Sequence, residues 1–331
     1  MDHAVDSEQV PTLSELQQTA ARIGEHIHVT PTIRWPVPQL ANGPDAELFV
    51  KLELLQVTGS FKPRGAINTI MHYFASNSSN QPYQGVTAFS AGNHAIATAY
   101  AARVLGVSAK VVMPRSANPF RIERCRDYGA EIVFGDTISD LLQLTQQIQQ
   151  DENRLLVHPF EGIHTIMGTA TVGLELCADV PQLDAVIVPV GGGGLIAGIA
   201  TAVKHLQPNC QIIGVEPENA CGMQQSLQQD RPMKEVAVNT IADSLGAPMH
   251  TPLSFSLVRR FVDRLVKVSD VQMQEAMRQM FLDVKLAAEP ACAAALAAFN
   301  GPLSGELTGR RVALIACGSN IDQGTYQSLS S

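Results

Sequence analysis

The sequence of 331 residues has few charged and few aromatic side chains, at 16% and 5% of the chain. It also has no excess of basic residues, because 23 Lys and Arg stand against 31 Asp and Glu, for a formal net charge of −8. This balance argues against a nucleic-acid partner or an anionic membrane surface. Apolar residues make up 45% of the chain, so a large core can be buried and global disorder is excluded.

Long apolar runs are missing as well, because Pro and Gly interrupt the longest one, AVIVPVGGGGLIAGIA, and no membrane span is predicted. The N-terminus is polar and acidic and lacks the basic start and apolar stretch of a secretory signal. The six cysteines form no C-x-x-C pair and the nine histidines show no ligand spacing, so neither a disulfide scaffold nor a zinc site is predicted. We therefore expect a cytoplasmic protein with reduced thiols.

From residue 86 onwards, short apolar runs alternate with stretches of helical pattern. The pattern predicts strands at 86–89, 109–113, 131–134, 155–157, 184–190, 211–216 and 311–316, and helices at 93–105, 119–128, 138–150, 195–205 and 271–287. Repeated β–α units of this kind indicate the α/β class, with a mainly parallel sheet and helices on both faces. Such sheets bind ligands beyond the carboxyl ends of their strands. A polar loop at 75–84 is a candidate hinge between two lobes.

The segment TGSFKPRGA carries a lysine at a junction between a loop and an amphipathic helix. For a lone lysine such as Lys62, a solvated surface position is the plain interpretation. Burial beside Phe61 and Pro63 would instead lower the pKa of the amine, because burial disfavours the ammonium form. A neutral amine is what Schiff-base formation with an aldehyde requires. Taken alone, the segment leaves both interpretations open.

The segment SAGNH, at residues 90–94, follows the first of these strands and opens a helix. Free backbone N–H groups at a helix start bind carboxylates or phosphates, and Ser90 and Asn93 add side-chain donors. An ordinary Ser or Asn helix cap would explain the same residues. The segment therefore predicts either an anion site or a cap.

Four consecutive glycines, Gly191–Gly194, lie between the apolar strand DAVIVPV and the helix LIAGIATAVKH. Glycines let the backbone approach an anion closely, so the loop predicts a phosphate site. No Lys-Ser or Lys-Thr pair follows, which excludes a nucleotide-triphosphate P-loop. The spacing of Gly192, Gly194 and Ala197 also fits G-x-G-x-x-A, and Glu216 stands where a ribose-binding acid would be. On this motif alone, a nicotinamide dehydrogenase remains an alternative.

A fourth segment, ACGSN, follows the strand RVALI and places small polar groups at its carboxyl end, where a tight surface turn is the alternative. Taken in order, SFKPRGA, SAGNH, GGGG and ACGSN resemble one family. It is the fold type II class of pyridoxal-phosphate enzymes, in the threonine/serine dehydratase and serine racemase group. The resemblance covers roughly residues 30–322. The dehydrogenase alternative, in contrast, leaves Lys62 and Asn93 without a role.

The resemblance implies a tryptophan synthase beta-like fold of two lobes, each with a mainly parallel sheet flanked by helices. The large cofactor-binding domain would comprise residues 1–82 and 159–331, and the small domain residues 83–158. Pyridoxal 5′-phosphate would be the cofactor, and a small amino acid the substrate. By the same resemblance, the expected assembly is a homodimer.

The resemblance also assigns roles to single residues. Lys62 would form the Schiff base with the cofactor and act as the catalytic base, and Phe61 would pack near the cofactor. Asn93 would bind the ring hydroxyl, and Cys317 would face the pyridine nitrogen. The phosphate would be held by Gly191, Gly192, Gly193 and Gly194. The substrate would be bound by Ser90, Ala91, Asn93 and His94.

The implied reaction converts L-threonine, L-serine or a related β-hydroxy amino acid to a 2-oxo acid and ammonia by β-elimination. The neutral Cys317 thiol favours elimination, because it leaves the cofactor ring a weaker electron sink than a carboxylate partner would. Serine racemases carry a second serine at the place of Ala91, so racemisation is a disfavoured alternative. The runs GTAT at 168–171 and IADS at 241–244 depart from the family's GQGT and IADG. A hydroxyectoine-derived substrate or 3-hydroxyaspartate is therefore another alternative.

A cation site found in racemase-like members is matched only in part, and we predict no metal. Those members use a Glu at the end of the strand at 211–216 and an Asp six residues later. Glu216 and the Ala220 carbonyl match, but Gly222 stands where the Asp would be, which leaves too few oxygen ligands. Because the chain ends soon after the Cys317 segment, we also expect no C-terminal regulatory domain and no inhibition by isoleucine.

Overall fold

The structure is a computed structural model that describes residues 10–35, 45–75 and 82–331, so residues 76–81 of the predicted hinge loop lie outside it. The strands are β1 (Thr32–Arg34), β2 (Glu47–Lys51), β3 (Val86–Phe89), β4 (Ala109–Pro114), β5 (Glu131–Gly135), β6 (Leu155–Leu156), β7 (Ala185–Pro189), β8 (Gln211–Pro217), β9 (Arg264–Val268) and β10 (Arg311–Ile315). The helices are α1 (Leu13–Ile23), α2 (Pro63–Ala75), α3 (Asn93–Val104), α4 (Pro119–Asp127), α5 (Ile138–Asp151), α6 (Ile163–Asp179), α7 (Gly194–Leu206), α8 (Gly222–Gln228), α9 (Pro252–Phe261), α10 (Asp270–Val284), α11 (Pro290–Asn300) and α12 (Gln323–Ser330).

The strands form two sheets. The six-stranded sheet has the order β1-β2-β10-β7-β8-β9, and the four-stranded sheet has the order β5-β4-β3-β6. All neighbours run parallel except β1 and β2, which are antiparallel. The predicted α/β class with mainly parallel sheets flanked by helices is therefore confirmed.

The central strands of the six-stranded sheet are buried on both faces. Every residue of β7 is buried, and so is every residue of β8 after Gln211. Continuous apolar runs such as AVIVP are typical of parallel strands that helices cover on both sides. Here α6 and α7 cover one side, and the Ala-rich helix α11 packs behind the sheet with its small side chains buried. The carboxyl end of β7 consequently opens into the glycine loop.

The four-stranded sheet lies within the sequence range 86–156 and has its own apolar core. Its strands and helices start within one residue of the predicted positions, and α4 has the predicted cap, because the Asn118 side chain accepts the Phe120 N–H at 2.9 Å. All its strands fall between residues 83 and 158. The division into two domains stays a prediction, since two sheets alone do not define domain boundaries.

Three strands were not predicted. The edge strands β1 and β9 are short and partly exposed, and β9 (RLVKV) mixes charged with apolar residues. Strand β2 lies before the region where the periodic pattern begins. Edge strands lack the apolar run that marks a buried strand. Within the described ranges, no helix combines the length and the apolar character that crossing a bilayer would require.

Candidate active site

Lys62 lies immediately before α2, and its amine is enclosed by protein although the residue borders a cavity. Its Nζ donates a hydrogen bond to the carbonyl of Pro159 at 2.5 Å. Burial lowers the pKa of the amine to about 8, against the opposing effects of Cys317 and Glu289. The lysine is thus far closer to its neutral form than a surface lysine, and the interpretation of Lys62 as a solvated lysine is wrong.

A cluster of buried charges fixes the first turn of α2 behind this lysine. The Arg64 guanidinium donates to both carboxylate oxygens of Glu53, at 2.7 and 2.8 Å, and neither side chain is exposed. It also binds Glu175 at 2.6 Å, and Glu175 in turn pairs with Lys51 at 2.8 Å. This buried ion cluster (Lys51, Glu53, Arg64 and Glu175) holds the backbone of Lys62 against the six-stranded sheet.

The glycine loop lies between the end of β7 and the start of α7. Gly193 adopts a left-handed conformation with φ of +91°, which favours glycine. A Cβ on Gly192 would lie 2.3 Å from the Phe160 ring, and one on Gly194 would lie 2.7 Å from the Phe160 carbonyl. Among the described residues, no side chain caps α7. The loop therefore needs glycine and offers backbone N–H groups to an anion, as a phosphate group requires.

One small cavity of about 40 Å³ joins residues of all four predicted segments. It is lined by Lys62 and Asn93, by the glycine loop Gly191–Gly194, and by Cys317. Phe61 and Glu289 line it as well. One space is thus surrounded by the Lys62 amine, which can react with an aldehyde, and by the N–H groups of the glycine loop, which can bind a phosphate. Asn93 and Cys317 add polar side chains that can contact a ring. These residues fit pyridoxal 5′-phosphate.

Cys317 lies at the end of β10 and is buried. A hydrogen bond with the neighbouring Cys292, together with burial, raises the pKa of the Cys317 thiol well above its usual range. The thiol is therefore neutral over the physiological pH range. The family resemblance predicts a neutral group opposite the pyridine nitrogen of the cofactor, and a protonated thiol is neutral.

Asn93 is the first residue of α3, and its side chain belongs to a buried polar network. Its amide donates to Glu289 at 2.7 Å and accepts from Asn320 at 2.6 Å. Glu289 is 1% exposed, and burial raises the pKa of its carboxyl while Arg121 opposes that shift. Sequence reasoning missed Glu289. The available signal was a single acidic residue in the otherwise apolar segment AAEPACAAAL.

A larger cavity of about 430 Å³ continues from Lys62 across the start of α3. The residues that line it include Lys62, Ser90, Ala91, Gly92, Asn93, His94, Phe89, Leu141, Arg121 and Ser244. Gly92 precedes α3, and no side chain among the described residues caps the N–H groups of its first turn, although Ser90 Oγ accepts the Gly92 N–H at 3.1 Å. The free N–H groups of this helix start face the same cavity as the lysine.

His94 lines this cavity but directs one ring nitrogen away from it. Its Nε2 donates to the Val157 carbonyl at 2.7 Å, and burial together with the nearby Lys62 lowers its pKa to about 3. The ring is therefore neutral and held in place.

A separate cavity of about 750 Å³ lies near Cys177 and Cys210, but its lining contains no Lys, Arg or His among the described residues.

Glu216 contacts the start of α8. Its carboxylate accepts the N–H groups of Met223 at 2.7 Å and Gln224 at 2.8 Å, at the start of α8. Burial raises its pKa to about 7. Each oxygen thus accepts one N–H group of α8, so the observed role of Glu216 is to cap this helix start. The described residues contain no group of three or more His, Cys, Asp or Glu placed to hold a metal ion.

Comparisons with known proteins agree with this geometry. A phenylserine dehydratase from Ralstonia pickettii is 46% identical over 97% of each chain. An L-threonine ammonia-lyase from Thermotoga maritima is 36% identical over 94% of this chain and 76% of its own. The structure of maize serine racemase superposes with a TM-score of 0.87 at 33% identity, over 97% of each chain. These relatives confirm the predicted fold type II class and the predicted dehydratase group.

The family model described as "Pyridoxal-phosphate dependent enzyme" matches residues 23–318. Pyridoxal 5′-phosphate is therefore the cofactor, as predicted, and the protein is an enzyme of the lyase type that its dehydratase relatives represent. This assignment also replaces the dehydrogenase alternative for the glycine loop. The chain belongs to the pyridoxal-phosphate dependent enzymes.

Proposed function

We propose that this enzyme eliminates water from a β-hydroxy amino acid with a bulky apolar or aryl group at Cβ, giving a 2-oxo acid and ammonia. The apolar wall of the 430 Å³ cavity beside Lys62 carries the proposal. Phe89, Ile138 and Leu141 line it, and such walls select large apolar groups. The 46% identity to a phenylserine dehydratase supports the same substrate class.

The residues that would hold the cofactor are those that line the small cavity. Backbone N–H groups of Gly191–Gly194, together with the positive end of the α7 dipole, would hold the phosphate. Asn93 would bind the ring hydroxyl, Cys317 would face the ring nitrogen, and Phe61 would pack beside the ring. When bound, the cofactor supplies an electron sink that makes the Cα–H bond of an amino acid acidic.

The chain's own residues would then orient the amino acid and move its proton. Ser90, the Ala91 N–H and Asn93 at the start of α3 would bind the substrate carboxylate, which fixes the direction of the Cα–H bond. The Nζ of Lys62, in its neutral form, would accept the Cα proton. The protonated Nζ would give this proton to the β-hydroxyl, which leaves as water, and a water molecule would then hydrolyse the released enamine to the 2-oxo acid and ammonia.

Ala91 separates this proposal from racemisation. A racemase must deliver a proton to the opposite face of Cα, and an alanine side chain has no proton to give. Ala91 lies at the cavity where the predicted second base of a racemase would stand. We therefore propose net elimination and no racemisation.

The test is 2-oxo acid release by the cofactor-loaded protein from phenylserine, threonine and serine, with Lys62→Ala as the control. We expect kcat/KM for phenylserine to exceed that for threonine by at least about tenfold, because an apolar pocket discriminates by about 1–3 kcal/mol per added group. Lys62→Ala should release none. Equal rates for all three substrates would contradict the substrate class, and activity of Lys62→Ala would contradict the mechanism.

The cellular setting and the assembly belong to the proposal as well. All six cysteines are free thiols, which supports a reducing compartment such as the cytoplasm. The homodimer rests on the family resemblance alone. We propose the domain division 1–82 with 159–331, and 83–158, because the two sheets fall into these ranges. Limited proteolysis and light scattering of the purified protein test the division and the dimer.

A further inference from the structure

Arg121 is a buried cation on α4. Its side chain reaches two segments outside the four-stranded sheet region, one after β10 and one after α8. Its Nε donates to the Asn320 carbonyl at 2.9 Å. Both terminal nitrogens bind the carboxylate of Asp243, one of them at 3.3 Å. The Arg121 side chain is 8% exposed, whereas the Asp243 side chain is 52% exposed. The charge of this arginine is therefore enclosed, and the charge of its partner is half open to water.

The guanidinium lies directly behind the start of α3. A Cβ placed on Gly92 would lie 2.8 Å from its Nη1, so the group packs against the backbone of Gly92. Arg121 and the segment from Ser90 to Asn93 line the same 430 Å³ cavity. A carboxylate bound by the N–H groups of this helix start would thus have a permanent positive charge close behind it.

The surrounding charges make this arginine necessary for an anionic ligand. Three carboxylates, those of Asp243, Glu289 and Asp322, interact electrostatically with Arg121. Asp243 also lines the 430 Å³ cavity, so without Arg121 a substrate carboxylate would approach the Asp243 carboxylate with no compensating charge beside it. Lys62 is the other amine or guanidinium on the cavity wall that the structure describes, and it is needed for the cofactor.

We propose that Arg121 is a substrate-positioning residue. Its guanidinium supplies the positive charge that makes the start of α3 accept the substrate carboxylate, and Asp243 is the counter-ion that holds it and partly offsets its charge. This inference rests on the proposed function, since it requires a substrate with a free carboxylate. If Arg121 only joined α4 to the segments of Asn320 and Asp243, loss of its charge would not change the preference for a substrate carboxylate. A residue that acts through its charge would change that preference.

The experiment compares Arg121→Gln, Arg121→Lys and Asp243→Asn in the cofactor-loaded enzyme. For Arg121→Gln we expect KM for phenylserine to rise at least about tenfold with a smaller change in kcat. Arg121→Lys keeps the charge and should recover part of the loss, which also covers the case in which the glutamine variant folds poorly. Asp243→Asn removes a negative charge and should leave KM unchanged or lower it. The matched control is Arg124→Gln, the same change at a 41% exposed arginine of the same helix.

Binding measurements separate this inference from the proposed function. Calorimetry with phenylserine and its carboxamide measures the preference for a carboxylate without needing turnover. We expect the wild type to prefer the carboxylate, and Arg121→Gln to lose most of that preference. If the wild type shows this preference and Arg121→Gln loses it, but no 2-oxo acid is released, the proposed function fails and the role of Arg121 stands. If Arg121→Gln keeps the preference, or if Asp243→Asn raises KM as much as Arg121→Gln does, the role of Arg121 is overturned.

Discussion

Two arginines of the described residues are buried, and their surroundings differ. Arg64 pairs with Glu53 in the buried ion cluster, and neither side chain of that pair is exposed. Arg121 pairs with Asp243, whose side chain is 52% exposed at the cavity. A pair that is closed on both sides can only hold the fold together. A pair with one open partner can respond to a charged ligand, because the partner can turn to water when the ligand arrives.

Removing the charge of Arg64 is the largest expected effect. Arg64→Met would leave the Glu53 carboxylate buried without its main partner, so the free energy of unfolding should fall by about 3–5 kcal/mol. Urea titration of the cofactor-free protein measures this without a contribution from ligand binding. Arg121→Gln should cost clearly less, because Asp243 can be solvated. Equal losses for the two variants would remove the distinction between the arginines.

The glycine loop lines the small cavity, and a change there should act on the ligand more than on the fold. A Cβ on Gly194 would meet backbone atoms of Phe160, so Gly194→Ala must shift the loop. We expect the affinity for pyridoxal 5′-phosphate to fall at least about tenfold, from an overpacking cost of about 1–3 kcal/mol. Fluorescence titration of the cofactor-free protein measures it.

The matched control for this variant is Gly305→Ala. Gly305 is exposed, and none of the described residues has an atom within 4 Å of the position its Cβ would take. Its cofactor affinity should equal that of the wild type. Unchanged affinity in Gly194→Ala, with the control intact, would show that the loop does not hold the phosphate.

The smallest expected effect is the pH dependence of cofactor loading, which depends on the protonation of the Lys62 amine. The pKa of Lys62 is lowered to about 8, and only its neutral form attacks an aldehyde. The neutral fraction therefore rises through pH 8, and the loading rate should increase about tenfold from pH 7 to pH 9 and then level off. Stopped-flow absorbance of the bound cofactor follows this rate. A rate that keeps rising above pH 10 would mean that Lys62 has the pKa of a solvated lysine.

Much of the site could be predicted from the sequence because parallel sheets collect the carboxyl ends of their strands at one edge. Gly191 follows β7 and Cys317 follows β10, and the two strands are neighbours in the sheet. Asn93 follows β3 of the other sheet in the same way. Each of these residues sits in a short motif directly after an apolar run, where local patterns are informative.

The residues that could not be predicted depend on long-range packing. Arg121 is one of several arginines in the run RIERCRDY, and nothing in that run shows which of them faces the cavity. Glu289 precedes α11, and its carboxylate accepts hydrogen bonds from Asn93 and from the Asn320 N–H, which lie far away in sequence. The edge strand β9 lacks an apolar run. In each case the partner is distant in sequence, so the local pattern does not show what the residue contacts.

The cofactor cavity draws on Lys62, Asn93, the loop Gly191–Gly194 and Cys317, which are spread over most of the chain. Only the completed fold can therefore hold the ligand. Ligand binding of this kind stabilises the native state, by about 1.4 kcal/mol for each tenfold excess over the dissociation constant. A cell that runs short of vitamin B6 should consequently lose this protein to proteases, and its abundance would follow nutrition as well as gene expression.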